Sequence, residues 1–433
     1  MTRVEYGADS SLPRTRAHGL GRSAARQHGA ILPLVGLALV ALLGFAGLVV
    51  DLGGMFVAKT ELQSALDSCS LAASQELDGA ADALTRATNA GLTAGNVNKV
   101  RYQNAAAGVV DADVTFSDTL AGTYAKAFAP VGNARYARCT HTSGGAKNYM
   151  IQLVGAAATN SVSAVAVATR THAQSTCPVP VGLKARTNTP PNYGYQVGEW
   201  VDMLYDPTKV GGEMGWYNLD GSHSAAEAKN EMTGTGYCGS KVGDPVGTPG
   251  GKVSVDDGWN ARFGIYKNKG DPTQASMRPD FTGYAYTSKN WKNAVPQNAY
   301  GGVKAAGSDA TALNFKAKRF AYASYDDTGT DIKDGDKITS LNMKGGYKDL
   351  LTPGPGGDHQ LLGESRRIVL TPVVGASSTI IDYACMLMLQ PISGPTTLVQ
   401  LEYLGNAGNI SSPCTSSGLP GGAAGPLVPA LVR

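Results

Sequence analysis

AILPLVGLALVALLGFAGLVV, from Ala30 to Val50, is the stretch on which the reading of this chain turns. It holds no charged residue, and as a helix it spans about 31 Å, close to the roughly 30 Å hydrocarbon core of a bilayer. It reads as a transmembrane helix over 30–50. Upstream, residues 1–29 carry Arg3, Arg14, Arg16, Arg22 and Arg26 against Glu5 and Asp9, with no apolar period, and read as a disordered basic leader. Basic flanks favour the cytoplasmic side, so everything after Asp51 is expected across the membrane. A cleaved secretory signal also starts basic and then apolar, but its apolar region runs about 7 to 15 residues and ends at a small-x-small site. Here the run is longer. It passes without a break into FVAKTELQSALDSCSLAASQEL, where Ala58, Leu62, Ala65, Cys69, Ala72 and Ala73 recur at helical steps on one face. A retained anchor continuing into a stalk is expected.

Within the helix Gly36, Gly47 and Gly54 fall within about 20° of one another at 100° per residue, with Gly44 about 80° away. Such a stripe lets a second helix approach closely, and the expected contact continues along Leu62, Ala65 and Ala72.

The basic stretch ending in HGA, the apolar helix, the run VVDLGGMFVAKTELQSALDSCSLAAS and the Ala-rich segment after it resemble the TadE/TadG-like branch of the tight-adherence (Tad, or Flp) pilus-assembly family. Asp51, Gly53, Leu62, Gln63, Ala65, Asp67, Leu71, Ala72 and Ala73 stand where that family's pattern places them. Downstream, VTFSDTL, FAPVGNARYARCT and VSAVAVATR are similar to TadG-like sequences, and GWYNLDGS, WNARFGIY, ESRRIVLTPVV and SSPCTSSGLPGG are weaker matches. The resemblance implies a non-enzymatic, membrane-anchored component that assembles, anchors or presents the tip of the fibre. Its implied place is the inner membrane, N-terminus cytoplasmic and bulk periplasmic or surface-exposed, with other Tad pilus or pseudopilin components as partners. Two departures stand out. A cut after Gly29 would leave Leu34 where peptidase-processed pilins carry Glu, and no D-x-S-x-S run marks a von Willebrand A domain.

The remaining pattern gives an α+β protein: stalk helices over 51–98, a helix-plus-sheet head over 99–176, and a β-rich domain over 177–433. The second stalk helix should run from Ala80 to about Asn98, ending at Gly91 or Gly95. In the head, DVTFS, NARYARCT, YMIQLVG and SVSAVAVATR alternate as strands. The prolines of STCPVPVGL and TNTPPNYG mark the boundary. Beyond it RRIVLTPVV and YACMLMLQPI suit buried strands, VQLEYLG alternates, and IKDGDKIT suits a hairpin. The tail GLPGGAAGPLVPALVR reads as flexible or packed along a surface.

Lys plus Arg is 37 against 34 for Asp plus Glu, a net charge of +3, which argues against nucleic acid as a partner. Glycine, 55 of 433 residues, has no three-residue period, so collagen is excluded and many turns are implied. The cysteines, Cys69, Cys139, Cys177, Cys238, Cys385 and Cys414, are even in number, as disulfides in an oxidising compartment require. Six half-cystines allow fifteen connectivities, and sequence does not choose among them. Domain order suggests Cys69 with Cys139, Cys177 with Cys238, and Cys385 with Cys414.

Chemistry is sparse. His18, His28, His141, His172, His223 and His359 have no zinc-ligand spacing, so no metal or cofactor is expected. DDTGTDIKDGDK, Asp326 to Lys337, lacks the EF-hand order and reads as a solvated hairpin; GTPGGKVS, with Gly251 and Lys252, lacks the hydroxyl residue of a P-loop. No catalytic residue is assigned. Two rival functions remain: a tethered hydrolase in 177–433 using acids such as Glu199, Asp256 and Asp257, and a glycan-binding adhesin using Trp200, Trp216, Trp259 and Trp291. For the tryptophans, packing between strands is the plainer expectation.

Overall fold

The structure is a computed structural model describing residues 31–100, 102, 104–150, 152, 157–203, 214–222, 224–233, 238–247, 255–267, 270–291, 296–303, 313–319, 341, 343, 347–350, 356–392 and 398–433. The leader, the hairpin expected around Asp334, the acidic run Asp326–Lys337, the segment with Gly251 and Lys252, and His18, His28 and His223 lie outside these residues. The architecture is α+β. The helices are α1 (Ile31–Gln75), α2 (Ala83–Val97), α3 (Ala225–Thr233), α4 (Asp256–Ala261), α5 (Phe315–Lys318) and α6 (Asp358–Leu362). The strands are β1 (Lys99–Val100), β2 (Ala105–Ala106), β3 (Val114–Ser117), β4 (Tyr136–Lys147), β5 (Thr159–His172), β6 (Val181–Lys184), β7 (Trp200–Met203), β8 (Met214–Trp216), β9 (Ile265–Lys267), β10 (Tyr347–Leu350), β11 (Ile368–Val374), β12 (Ile380–Met388), β13 (Val399–Asn406) and β14 (Leu427–Leu431). Two compact units are formed, Met1–Phe56 with Gly145–Asn160, and Val57–Gly144 with Ser161–Arg433.

The first unit holds the apolar half of α1. Its most apolar window has a mean hydropathy of 2.5, yet only 6% of it is buried. Leu32, Leu37 and Val40 stand open, as a soluble core helix would not allow. The same unit contains the connection between β4 and β5. Tyr149 and Met150, expected in a strand, form part of this turn instead.

In the second unit α1 continues to Gln75, and Gly79, with φ of +84°, lets the chain turn back into α2. Gly91 and Gly95 do not end α2, as the sequence suggested. They are buried inside it, where an added Cβ would lie 3.2 Å from Cys69 Sγ and 3.2 Å from Cys69 Cβ respectively. Their missing side chains let the two helices approach.

A four-stranded sheet in the order β14-β5-β4-β3 forms the head. Its outer strand comes from the tail expected to be flexible or packed along a surface: Leu427 pairs with His172, Pro429 with Arg170 and Leu431 with Ala168. Val428 and Ala430 alternate into the core, which supplies the reason to order the segment. The Ala173 N–H bonds Pro426 O and the Val432 N–H bonds Val167 O, so Pro429, on the opposite phase, blunts the outward edge. Because β14 joins the head, residues on both sides of the Pro-rich boundary share one unit.

The rest of the β-rich run closes a barrel in the order β11-β12-β13-β7-β8-β6. The pairs β11–β12, β12–β13, β13–β7 and β8–β6 are antiparallel, β7 and β8 meet in parallel at Met203↔Met214, and β6 closes the barrel parallel to β11 through Leu183↔Val373. The continuous apolar run of β12 has a direct cause. Ala384, Met386 and Met388 enter one core with Val201, Leu401 and Trp259, while Cys385 and Leu387 enter two others on the opposite side. Both faces of the strand are covered. Trp216, Trp259 and Trp291 are buried, and Trp216 meets Trp259 edge to face at 5.8 Å. Trp291 therefore offers no exposed ring to a glycan.

Three disulfides are formed: Cys69–Cys139 joins α1 to β4, Cys177–Cys238 joins the approach to β6 to the segment after α3, and Cys385–Cys414 joins β12 to the loop beyond β13.

Candidate functional site

In the first unit the site begins at Asp51, the first charge after the apolar run. Although acidic, it is only 4% exposed. Its Oδ1 accepts the Tyr149 N–H at 2.9 Å and its Oδ2 accepts the Met150 N–H at 2.9 Å. One turn earlier on α1, a Cβ at Gly47 would lie 2.3 Å from Met150 Cβ, so glycine is what makes room for this side chain. One turn later, Asn160 Nδ2 contacts Met55 Sδ at 3.1 Å. Positions 47, 51 and 55 lie at four-residue steps, on one face of the helix. The base of the turn is held by Asn148, whose N–H bonds Ala158 O at 2.9 Å and whose Nδ2 bonds Ala157 O at 2.7 Å.

This changes the expected helix-packing stripe. Gly47 receives a side chain of its own protein, whereas Gly36 and Gly44 have nothing within 4 Å where a Cβ would stand. Gly53 is equally open, and Gly54 is half-buried.

In the second unit Leu62 and Ala65 have no exposure at all and Ala72 is half-buried. Leu62 and Ala65 belong to the protein's own core, with Leu66, Cys69 and Ala73, and present nothing to an external helix. Gln63 Nε2 donates to Asp67 Oδ1 at 2.8 Å and to Val165 O on β5 at 2.9 Å. Gln63 and Asp67 thus act together: the carboxylate one turn on holds the amide against the sheet. Past the end of α1, Arg86 on α2 bonds Asp78 at 2.6 Å, Asp82 at 3.1 Å and Glu76. With Cys69–Cys139 these contacts fasten α1 and α2 to the head sheet. Chemically this is a clamp, with no open nucleophile or acid–base pair among its named groups.

The acids considered for hydrolysis have structural partners. Glu199 pairs with Arg186 at 2.6 Å and accepts the Gln196 N–H. Asp256 and Asp257 occupy the first turn of α4, with Lys229 3.9 Å from Asp257. None of the three lines the groove of about 530 Å³ beside Arg138 and Tyr124, or the cavity of about 180 Å³ beside Ser240 and Tyr383.

Arg367 and Glu402 are among the buried charges that sequence reasoning missed. Arg367 is fully buried; its guanidinium donates to the carbonyls of Met388, Leu389, Thr282 and Tyr284 and lies 4.3 Å from the Phe263 ring centre. Burial lowers its pKa to about 10, so it remains charged at neutral pH. Glu402, read as the polar side of an alternating strand, is buried and accepts N–H groups from Trp200, Ala299 and Tyr300. Burial pushes its pKa up to about 7 against the pull of these three donors. The signal available was the tight flanking of Glu402 by Leu401 and Tyr403.

A helix that is apolar and uncovered in one half and disulfide-bonded into a globular fold in the other has the character of a membrane anchor. Residues 29–87 match the family described as putative Flp pilus-assembly TadE/G-like. The matched segment contains Asp51, Gly53, Gln63 and Asp67. No curated protein and no solved structure matches the chain.

Proposed function

We propose that this protein is a non-enzymatic, single-pass component of Flp pilus assembly that anchors or presents part of the fibre. In this reading residues 1–29 lie in the cytoplasm, α1 crosses the inner membrane, and the head and barrel lie in the periplasm or at the cell surface. The observation that carries it is the division of labour along α1: uncovered and apolar before Asp51, a disulfide-bonded core element after Val57. A cut past the apolar run would discard Gly47, on which Met150 sits, and Asp51, which accepts the Tyr149 and Met150 N–H groups. The capture of Glu402 by three N–H groups, and of Glu199 by Arg186, supports a binding role over hydrolysis. Partner contact falls to the uncovered part of the helix, where Gly36 and Gly44 remain open.

The test is co-purification of pilus-assembly components from native membranes. Gly36→Leu combined with Gly44→Leu should abolish it while the protein stays in the carbonate-washed membrane pellet, and Leu39→Ala should leave it unchanged. Retained co-purification in the double variant would rule out this helix contact. In spheroplasts, externally added protease should remove a C-terminal epitope; full protection would reverse the proposed orientation.

A further inference from the structure

We propose that the turn carrying Tyr149 and Met150 is a second membrane-contacting element, a foot that rests in the headgroup and acyl boundary of the same bilayer that α1 crosses. The inference rests on the anchor reading of α1. Its geometry is contained within the first unit.

Gly47 lies inside the uncharged run, four residues before Asp51, and at 1.5 Å per residue this is about 6 Å deeper along the helix. Met150 sits on Gly47, so a side chain from the β4–β5 connection reaches the level of the apolar segment. Its neighbour Tyr149 is 71% exposed. An open tyrosine beside the end of an apolar helix has the chemistry of the aromatic belt, with an apolar ring and a wet hydroxyl. A turn is ordinarily excluded from such a place because its unpaired N–H groups resist leaving water. Here the N–H groups of both residues are taken by Asp51. The same bonds let a carboxylate stand at the hydrocarbon edge, where an unpaired charge is unfavourable. Gly47, Asp51 and the turn therefore solve one problem jointly: Asp51 provides the acceptors, Gly47 provides the space, and the turn provides the lipid contact.

The occupant is lipid rather than a partner helix, because Tyr149 is open beside the end of a helix whose apolar side chains are themselves uncovered. The full chain, reconstituted in vesicles of phosphatidylethanolamine and phosphatidylglycerol, tests this. All six native cysteines are in disulfides, so Tyr149→Cys, Leu39→Cys and Leu120→Cys each add one thiol for an environment-sensitive fluorophore. Lipids bearing a nitroxide at a shallow or a deep acyl position then act as quenchers. The Leu39 reporter should be quenched best by the deep nitroxide. The Tyr149 reporter should be quenched best by the shallow one, at least about threefold more than the Leu120 reporter on the globular unit. Adding Gly47→Leu, which fills the seat of Met150, should lower the Tyr149 signal to the Leu120 level. A deeply quenched Leu39 with a Tyr149 signal no greater than that of Leu120 would overturn the foot while leaving the anchor intact. Shallow quenching at Tyr149 that Gly47→Leu leaves unchanged would overturn the seating. An unquenched Leu39 would remove the anchor and the foot together.

Discussion

Glu402 shows how a single residue ties stability to pH. Its folded pKa is raised from 4.5 to about 7 by burial, so between those values the native state binds a proton that the unfolded chain has lost. The contribution is complete below the unfolded value and disappears as pH rises through the folded one, about 3 kcal/mol in all. Urea titrations at pH 5 and pH 8 should show a fall of that order in unfolding free energy, and Glu402→Gln should remove this part of the slope. A slope equal in the variant would show that Glu402 is not its source. Arg367 acts differently, because its charge persists. Its planar fork serves the carbonyls of Met388, Leu389, Thr282 and Tyr284 at once, which an ammonium does not reproduce. Arg367→Lys should therefore destabilise by about 3 to 5 kcal/mol, read as a lowered denaturation midpoint. Arg367 was not legible as buried in the sequence, and Glu402 only through its neighbours Leu401 and Tyr403, since a charged letter in or beside a strand looks the same whether solvent or a cage of amides surrounds it.

Among the elements, the pairing of α1 with α2 is the most sequence-dependent contact. Gly91 faces Cys69 O at 3.2 Å and Ala73 Cβ at 3.3 Å, so a larger side chain has to part the helices. Gly91→Leu should destabilise by about 1 to 3 kcal/mol or more through overpacking, whereas Gly36→Leu, with open space around it, should leave the unfolding midpoint of the globular unit unchanged. Equal thermal shifts in the two variants would refute this. In the sequence Gly91 and Gly95 suggest a helix end because glycine is a common stop signal, and the same residue permits close approach. Only the presence of Cys69 and Ala65 opposite decides between these roles. β14 teaches the converse lesson: a Gly/Pro-rich approach hid a strand whose Val428 and Ala430 find a core only once β5 is beside them.

For the molecule as a whole, the three disulfides close separations of 70, 61 and 29 residues. Removing the longest by Cys69→Ala with Cys139→Ala should lower stability by about 3 to 4 kcal/mol in detergent, measured against the native protein, because loop-closure entropy returns to the unfolded chain. No loss in that double variant would mean that the clamp of Gln63, Asp67 and Val165 holds the head unaided. The sequence by itself determined what depends on neighbours along the chain. Ile31 to Val50 makes a largely uncovered apolar helix because hydropathy is a local sum, and IVLTPVV and YACMLM make buried strands because both faces are apolar. The family resemblance rests on the same local run. The tertiary structure alone decided what depends on residues far apart in sequence. It fixed one connectivity out of fifteen, the one that domain order suggested, seated Met150 on Gly47, drew Leu62 and Ala65 into the protein's own core and closed three N–H groups around Glu402. The reason is physical: periodicity states which face of an element avoids water, and only the assembled fold supplies the atoms that cover it.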